Sequence, residues 1–329
     1  MSAFALFGAG RIGRIHARNL HERGGARVKY VVDVNHEAAA ALAATCGAEV
    51  VSAAQALGDA EVAAVVIASS TDTHADLVTD SARAGKAIFC EKPIDLSVER
   101  ARACLAEVRK ANVPFLVGFN RRYDPAFSRL QREIAAGAVG NVEVVSITSR
   151  DPNPPPPEYI ARSGGLFRDM MIHDLDMARW LLGEEPVSVF ARGSALVDPR
   201  IGAAGDIDTA MVMLETASGR LCQITNSRRC VYGYDQRIEV FGSAGMVRAD
   251  NVTATTVEKA NGEGFTREPA LPFFLERYAA AYRIELDEFL KALRGEAAQL
   301  ASGEDGVRAL ELADAAQRSL QQRKPVDLS

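Results

Sequence analysis

Cysteine is scarce in this chain and shows no sign of pairing. The five cysteines among 329 residues (Cys46, Cys90, Cys104, Cys222, Cys230) are odd in number and far apart, with no C-x-x-C. That argues against a disulfide framework and for free thiols in a reducing compartment. Histidine is as sparse: there are five, with neither H-x-x-H nor H-E-x-x-H, so a protein-built zinc site is not expected. Basic blocks are missing too. The 38 Lys+Arg against 43 Asp+Glu give a formal charge of −5, a poor match for nucleic acid or an anionic membrane. No apolar run approaches the roughly 18 residues that cross a bilayer. Met1-Ser-Ala-Phe-Ala-Leu-Phe7 has no charged leader and runs directly into glycines, as a first strand does. The expectation is a soluble, cytoplasmic protein.

What is present is ordinary globular composition, 48% hydrophobic and 25% charged. At roughly 100–200 residues per domain the length predicts about two domains. The first third alternates β-branched runs (3–7, 28–34, 62–68, 86–90, 114–117) with helical stretches (10–23, 37–46, 73–84, 98–111). Continuous apolar strands separated by helices predict a parallel, doubly wound α/β domain over 1–119. After about residue 120 the pattern changes. A helix over 125–136 precedes strands at 142–149, 187–194, 209–215, 221–227, 237–241 and 246–250, with hairpin turns at 217–220 and 243–245. This predicts an α+β domain over 120–329 with a large, mainly antiparallel open sheet. Two closing helices, 272–295 and 303–323, are candidates to pack back on the first domain. Asp151-Pro-Asn-Pro-Pro-Pro-Pro157 reads as a stiff loop.

Gly8-Ala-Gly10-Arg11-Ile12-Gly13 fits G-x-G-x-x-G directly after a strand and at the opening of a helix. In that setting Gly8 allows a tight turn, Gly10 lets backbone approach a pyrophosphate, and Gly13 permits close helix–strand packing. Asp33 stands 20 residues after Gly13, at the end of the next strand, where a carboxylate accepts hydrogen bonds from ribose hydroxyls. Its charge would repel a 2′-phosphate, and Val34-Asn-His offers no arginine to hold one. NAD is therefore favoured over NADP.

Two further clusters could carry chemistry. Glu91-Lys92-Pro93 follows the strand ending at Cys90, at the sheet end where ligands bind in such folds. Lys92 is there as readily a surface lysine as a functional one. A helix over 164–182 would place Asp169, His173 and Asp176 at i, i+4 and i+7 on one face. A histidine flanked by carboxylates suits general-base work, and equally suits simple surface charge pairing.

Gly8–Gly13, Glu91-Lys-Pro93, Gly118-Phe-Asn-Arg-Arg-Tyr-Asp124, Gly164-Gly-Leu-Phe-Arg-Asp169 and His173-Asp-Leu-Asp176 together resemble the Gfo/Idh/MocA oxidoreductases, over nearly the whole chain. The resemblance implies NAD-dependent oxidation of a secondary hydroxyl of a cyclitol to a ketone. It makes Lys92, Asp169 and His173 the catalytic set. Ser69, Ser70, Thr71, His74 and Glu91 join the glycine loop on the cofactor side. Arg121 and Tyr232 are implied to touch the polyhydroxylated substrate, with Asp151 and Asn153 as weaker candidates. Asn120 stands where inositol enzymes of the family often carry methionine, which bears on substrate range. A homo-oligomer, dimer or tetramer, pairing through the open sheet face is also implied, and no metal is required. Another polyol or an aldose is the alternative substrate; a non-catalytic dinucleotide sensor is the alternative class.

Overall fold

The computed structural model describes residues 1–328, apart from the side chains of Pro157 and Ala161. The chain divides into two compact units: Met1–Asn120 with Ala281–Leu310, and Arg121–Ala280 with Glu311–Ser329.

The first unit runs β1 (Ser2–Phe7), α1 (Arg11–Glu22), β2 (Ala26–Val32), α2 (His36–Cys46), β3 (Glu49–Val50), α3 (Ala53–Gly58), β4 (Val62–Ile67), α4 (His74–Arg83), β5 (Ala87–Cys90), α5 (Val98–Ala111) and β6 (Phe115–Val117). Its sheet has the order β3-β2-β1-β4-β5-β6, and every pairing is parallel. The order reverses direction at β1, which lies between β2 and β4. The carboxyl ends of β1 and β4 flank this reversal, the general ligand position in such sheets. Local sequence fixes the helices. Asn35 caps α2 by accepting the Ala38 N–H, Ser97 caps α5 by accepting that of Arg100, and Gly47 ends α2 in the left-handed region. Phe4, Phe89 and Phe289 meet edge-on in the core, all fully buried. Each buried ring contributes roughly 1.5–3 kcal/mol.

The second unit follows with α6 (Pro125–Ala135), β7 (Val142–Arg150), α7 (Pro157–Ser163), α8 (Ile172–Leu182), β8 (Pro186–Ser194), α9 (Pro199–Ala203), β9 (Thr209–Thr216), β10 (Leu221–Ser227), β11 (Asp235–Gly242), β12 (Gly245–Ala249), β13 (Glu258–Asn261), β14 (Gly264–Arg267) and α10 (Phe274–Arg277). The chain ends in α11 (Ala279–Leu293), α12 (Gly303–Gln322) and β15 (Val326–Asp327). Seven strands form one sheet, β12-β11-β7-β10-β9-β8-β15. Both expected hairpins are there, and the pairing is antiparallel except between β7 and β10. The fold class is the one the sequence implies.

Three expectations need correction. The proline stretch does not stay a loop to its end, because Pro157 starts α7, a position that needs no backbone N–H. The helix expected over 164–182 opens with a π-helical turn, Phe167–Met171, before the regular α8. The helix expected over 272–295 is two, α10 and α11. Among the described residues no helix is long and apolar enough to cross a membrane.

Candidate active site

The first unit carries the residues expected to meet a dinucleotide. Gly8 has φ +103°, and a Cβ there would lie 2.4 Å from the Ala68 carbonyl oxygen. A Cβ on Gly13 would fall 1.9 Å from the carbonyl oxygen of Gly8, so Gly13 lets α1 close down on the turn itself. At Gly10, the N-cap of α1, nothing lies within 4 Å of a built Cβ. The helix thus begins at an open surface, with Arg11 and Ile12 as its first residues, and the N-terminus of a helix suits phosphate. Asp33 borders this surface. Its Oδ2 accepts the Ala9 N–H at 2.6 Å and its Oδ1 the Asn35 N–H at 2.7 Å. Each oxygen keeps lone pairs free for ribose hydroxyls. These residues fit NAD.

At the end of β4, Ser69 Oγ meets Thr73 Oγ1 at 2.7 Å and Thr73 Oγ1 donates to the Ser70 carbonyl at 2.8 Å, folding Thr71–Thr73 into a single 3₁₀ turn. Two residues from this group turn inward. His74 is 2% exposed, with Nδ1 2.8 Å from the Pro93 carbonyl and Nε2 3.1 Å from that of Ser69. Burial lowers its pKa, and the neutral ring has one N–H, which it donates to one of these two carbonyls. Glu91 is 8% exposed, and its Oε1 lies 2.7 Å from His16 Nε2, on the helix that the glycine loop opens. Its carboxylate ties Lys92 to α1. Lys92 itself is partly exposed and joined to Pro93 by a cis peptide bond.

The second unit carries a chain of charges. Asp174 is fully buried and accepts hydrogen bonds from Arg121, from Ser149 Oγ and from Asn226 Nδ2. Arg121, 4% exposed, is thereby held inside, with its guanidinium also over the Tyr278 ring. Its neighbour Asn120 is 3% exposed. Asp176 is gripped by Arg122 through two hydrogen bonds of 2.6 and 2.8 Å, which makes this carboxylate an anchor for α8. Asp169, on the π turn, accepts from Tyr159 Oη at 2.8 Å and from both Nη atoms of Arg228 at 3.3 Å. His173 follows one turn later and is partly exposed.

Asp151, just beyond β7, is pushed up to about 7 by burial. The charges of Asp169 and Asp174 add to the rise, and Arg228 and Arg121 oppose it. Asn153 is exposed. Tyr232 is 44% exposed, with its Oη donating to Asp235 at 2.7 Å and accepting from Arg150 at 2.6 Å. Sequence reasoning missed His16, Tyr159, Asp174 and Arg228. His16, Asp174 and Arg228 act through partners far along the chain, Tyr159 reaches Asp169 from a separate short helix, and no local spacing marks any of them. Among the described residues no cluster of His, Cys, Asp and Glu is arranged for a metal.

A doubly wound parallel sheet with this glycine loop and an aspartate at the end of its second strand, followed by a mixed sheet with a helix that carries a histidine and ordered carboxylates, defines the class of nicotinamide-dinucleotide oxidoreductases. Residues 3–119 match GFO_IDH_MocA, the oxidoreductase family's NAD-binding Rossmann fold, and residues 131–328 match its C-terminal alpha/beta domain. The chain belongs to the Gfo/Idh/MocA oxidoreductase family. It is 52% identical to an inositol 2-dehydrogenase of Rhizobium meliloti (strain 1021), over 99% of each chain. With a myo-inositol 2-dehydrogenase of Thermotoga maritima it shares 46% identity, over 98% of this chain and 97% of that one. The crystal structure of a myo-inositol dehydrogenase from Corynebacterium glutamicum superposes with a TM-score of 0.94 at 44% identity, covering 99% of this chain and 98% of the other.

Proposed function

We propose that this NAD-dependent oxidoreductase oxidises a secondary hydroxyl of a cyclitol to a ketone, with myo-inositol to 2-keto-myo-inositol as its main reaction. The observation that carries the reading is 52% identity, over 99% of both chains, with a relative named inositol 2-dehydrogenase. The glycine loop, the start of α1 and Asp33 would hold NAD, which supplies a nicotinamide able to accept hydride from the carbinol carbon.

The protein's own groups manage the oxygen and its proton. Lys92 donates a hydrogen bond to the reacting oxygen, and its charge stabilises the alkoxide character that develops there. His173 takes the hydroxyl proton. Asp169 orients the imidazole and offsets the charge it gains. Asn120, Arg121, Asp151, Asn153 and Tyr232 form the substrate subsite. A neutral polyol offers only hydrogen bonds, so a subsite rich in donors and acceptors suits it. The same reading has the protein working in the cytoplasm as a dimer or tetramer.

NADH formation measured across myo-inositol, scyllo-inositol and glucose tests the proposal. The highest kcat/KM is expected for myo-inositol. Glucose leading the series would make the protein an aldose dehydrogenase, and no turnover of any polyol would make it a dinucleotide sensor.

A further inference from the structure

The one parallel pair of the second sheet, β7 with β10, brings two strand ends to the same edge. Ser227 is in register with Arg150, and the Asp151 N–H donates to the Ser227 carbonyl at 2.9 Å. Asp151 and Arg228 therefore leave the sheet side by side.

Arg228 is 1% exposed, yet it carries a charge it cannot shed. Its N–H donates to the Asp208 carbonyl at 2.8 Å, which pins its backbone. Asp208 is itself pinned, accepting the N–H groups of Leu196, Val197 and Asp198. The guanidinium places two nitrogens 3.3 Å from Asp169 Oδ2, while Tyr159 holds Oδ1 from the other side. Asp206 Oδ2 lies 4.0 Å from the same guanidinium, and the Arg228 charge acts on Asp151 as well. One buried cation thus balances three acids delivered by three segments: Asp151 after β7, Asp169 before α8 and Asp206 before β9.

We propose that Arg228 is a positioning residue for the reaction: it fixes Asp169 for His173 and sets the charge balance in which the base works. This rests on the reading of Asp169 and His173 given above. A lysine at 228 would keep the charge but lose the planar fork that reaches Asp169 with two donors. The charged and titratable groups facing Arg228 are Asp169, Asp206 and Asp151. Tyr159 holds Asp169 from its other oxygen, His173 follows Asp169 by four residues, and the charges of Arg121 and Asp174 act on Asp151. Removing the cation leaves the acids unbalanced, so proton binding tightens at each titrating group nearby, His173 and Asp151 included. The acid limb of the kcat–pH profile then moves to higher pH. Removing the Asp206 charge takes one negative charge from this group and moves the limb the opposite way.

The experiment compares kcat, KM and pH profiles for the wild type, Arg228→Met, Arg228→Lys, Asp206→Asn, Asp169→Asn and His173→Ala, each with its NAD affinity and Tm. Arg228→Met is expected to lose about tenfold or more in kcat, part of the roughly 10²–10⁴ that a positioned base contributes, with NAD affinity retained. Arg228→Lys should recover part of that loss. The acid limb should rise in Arg228→Met and fall in Asp206→Asn, opposite signs that general damage to the fold does not produce. If Asp169→Asn and His173→Ala keep near-normal kcat, the catalytic reading itself fails. If they lose turnover while Arg228→Met keeps kcat and limb, or if the limbs of Arg228→Met and Asp206→Asn move together, the role of Arg228 is overturned.

Discussion

Glu285 sits on α11 fully buried, and neither carboxylate oxygen has a hydrogen-bond partner among the described residues. Burial pushes its carboxyl well above its ordinary value of 4.5, and the nearby charge of Glu91 pushes the same way. The folded protein therefore holds a proton here that the unfolded chain releases above its ordinary value. Stability must fall as pH rises from that value toward the folded pKa. Glu285→Gln removes the proton from the balance, so its Tm should gain on the wild type as pH rises through this window. Parallel Tm–pH curves for the two proteins would show that Glu285 is ionised in the fold. Lys92 poses the complementary question, since the proposed reaction assigns it to the substrate oxygen. Lys92→Met should lose turnover by about 10²–10³, the usual effect of removing a transition-state donor, while NAD affinity in a fluorescence titration stays unchanged. A variant that instead loses NAD affinity with kcat intact would move Lys92 to the dinucleotide.

At the scale of the element, the glycine loop separates two kinds of glycine. Gly13 is needed by the fold, because an added Cβ would meet backbone at 1.9 Å; Gly10 faces open space. Gly13→Ala should lower stability by about 1–3 kcal/mol as overpacking does. Gly10→Ala should leave stability within about 0.5 kcal/mol yet weaken NAD binding, the outcome expected if the pyrophosphate approaches the backbone there. Thermal melts with and without NAD check both; equal behaviour of the two variants would contradict the distinction. This loop was legible because strand, turn, helix and Asp33 follow one another within a few dozen residues. The hairpins at 217–220 and 243–245 were legible for the same reason, whereas the β7–β10 parallel pairing was not. It joins strands separated by α7, α8, α9 and two intervening strands, and no turn records it. Glu91 could be placed near a ligand from its neighbours, but its contact with His16 spans 75 residues of sequence. Burial of His74 and Arg121 was likewise invisible, because polar residues read as surface until their partners are known.

For the whole molecule, the second sheet leaves one face without cover. Strands β9 and β10 alternate regularly between buried and exposed residues, so half of each points outward. Met211, Met213, Leu221, Phe241 and Met246 are 39–59% exposed. The register lines up Leu221, Val144, Phe241 and Met246 straight across β10, β7, β11 and β12, with Gln223, Ser146, Glu239 and Arg248 forming the next row. A row of large apolar side chains across four strands is a contiguous patch, the kind a monomer rarely exposes, and a polar row beside it supplies the rim of an interface. A second copy of the same sheet offers a self-complementary surface, as two-fold pairing requires. Phe241→Asp and Met213→Asp should each place a charge in that patch without touching the buried side of the sheet. Sedimentation velocity is expected to show the wild type as a dimer or tetramer and both variants shifted to smaller species. NAD affinity should not change, since the glycine loop lies in the other unit. A wild type that sediments as a monomer, or variants that keep its oligomeric state, would mean that this face does not join copies of the chain.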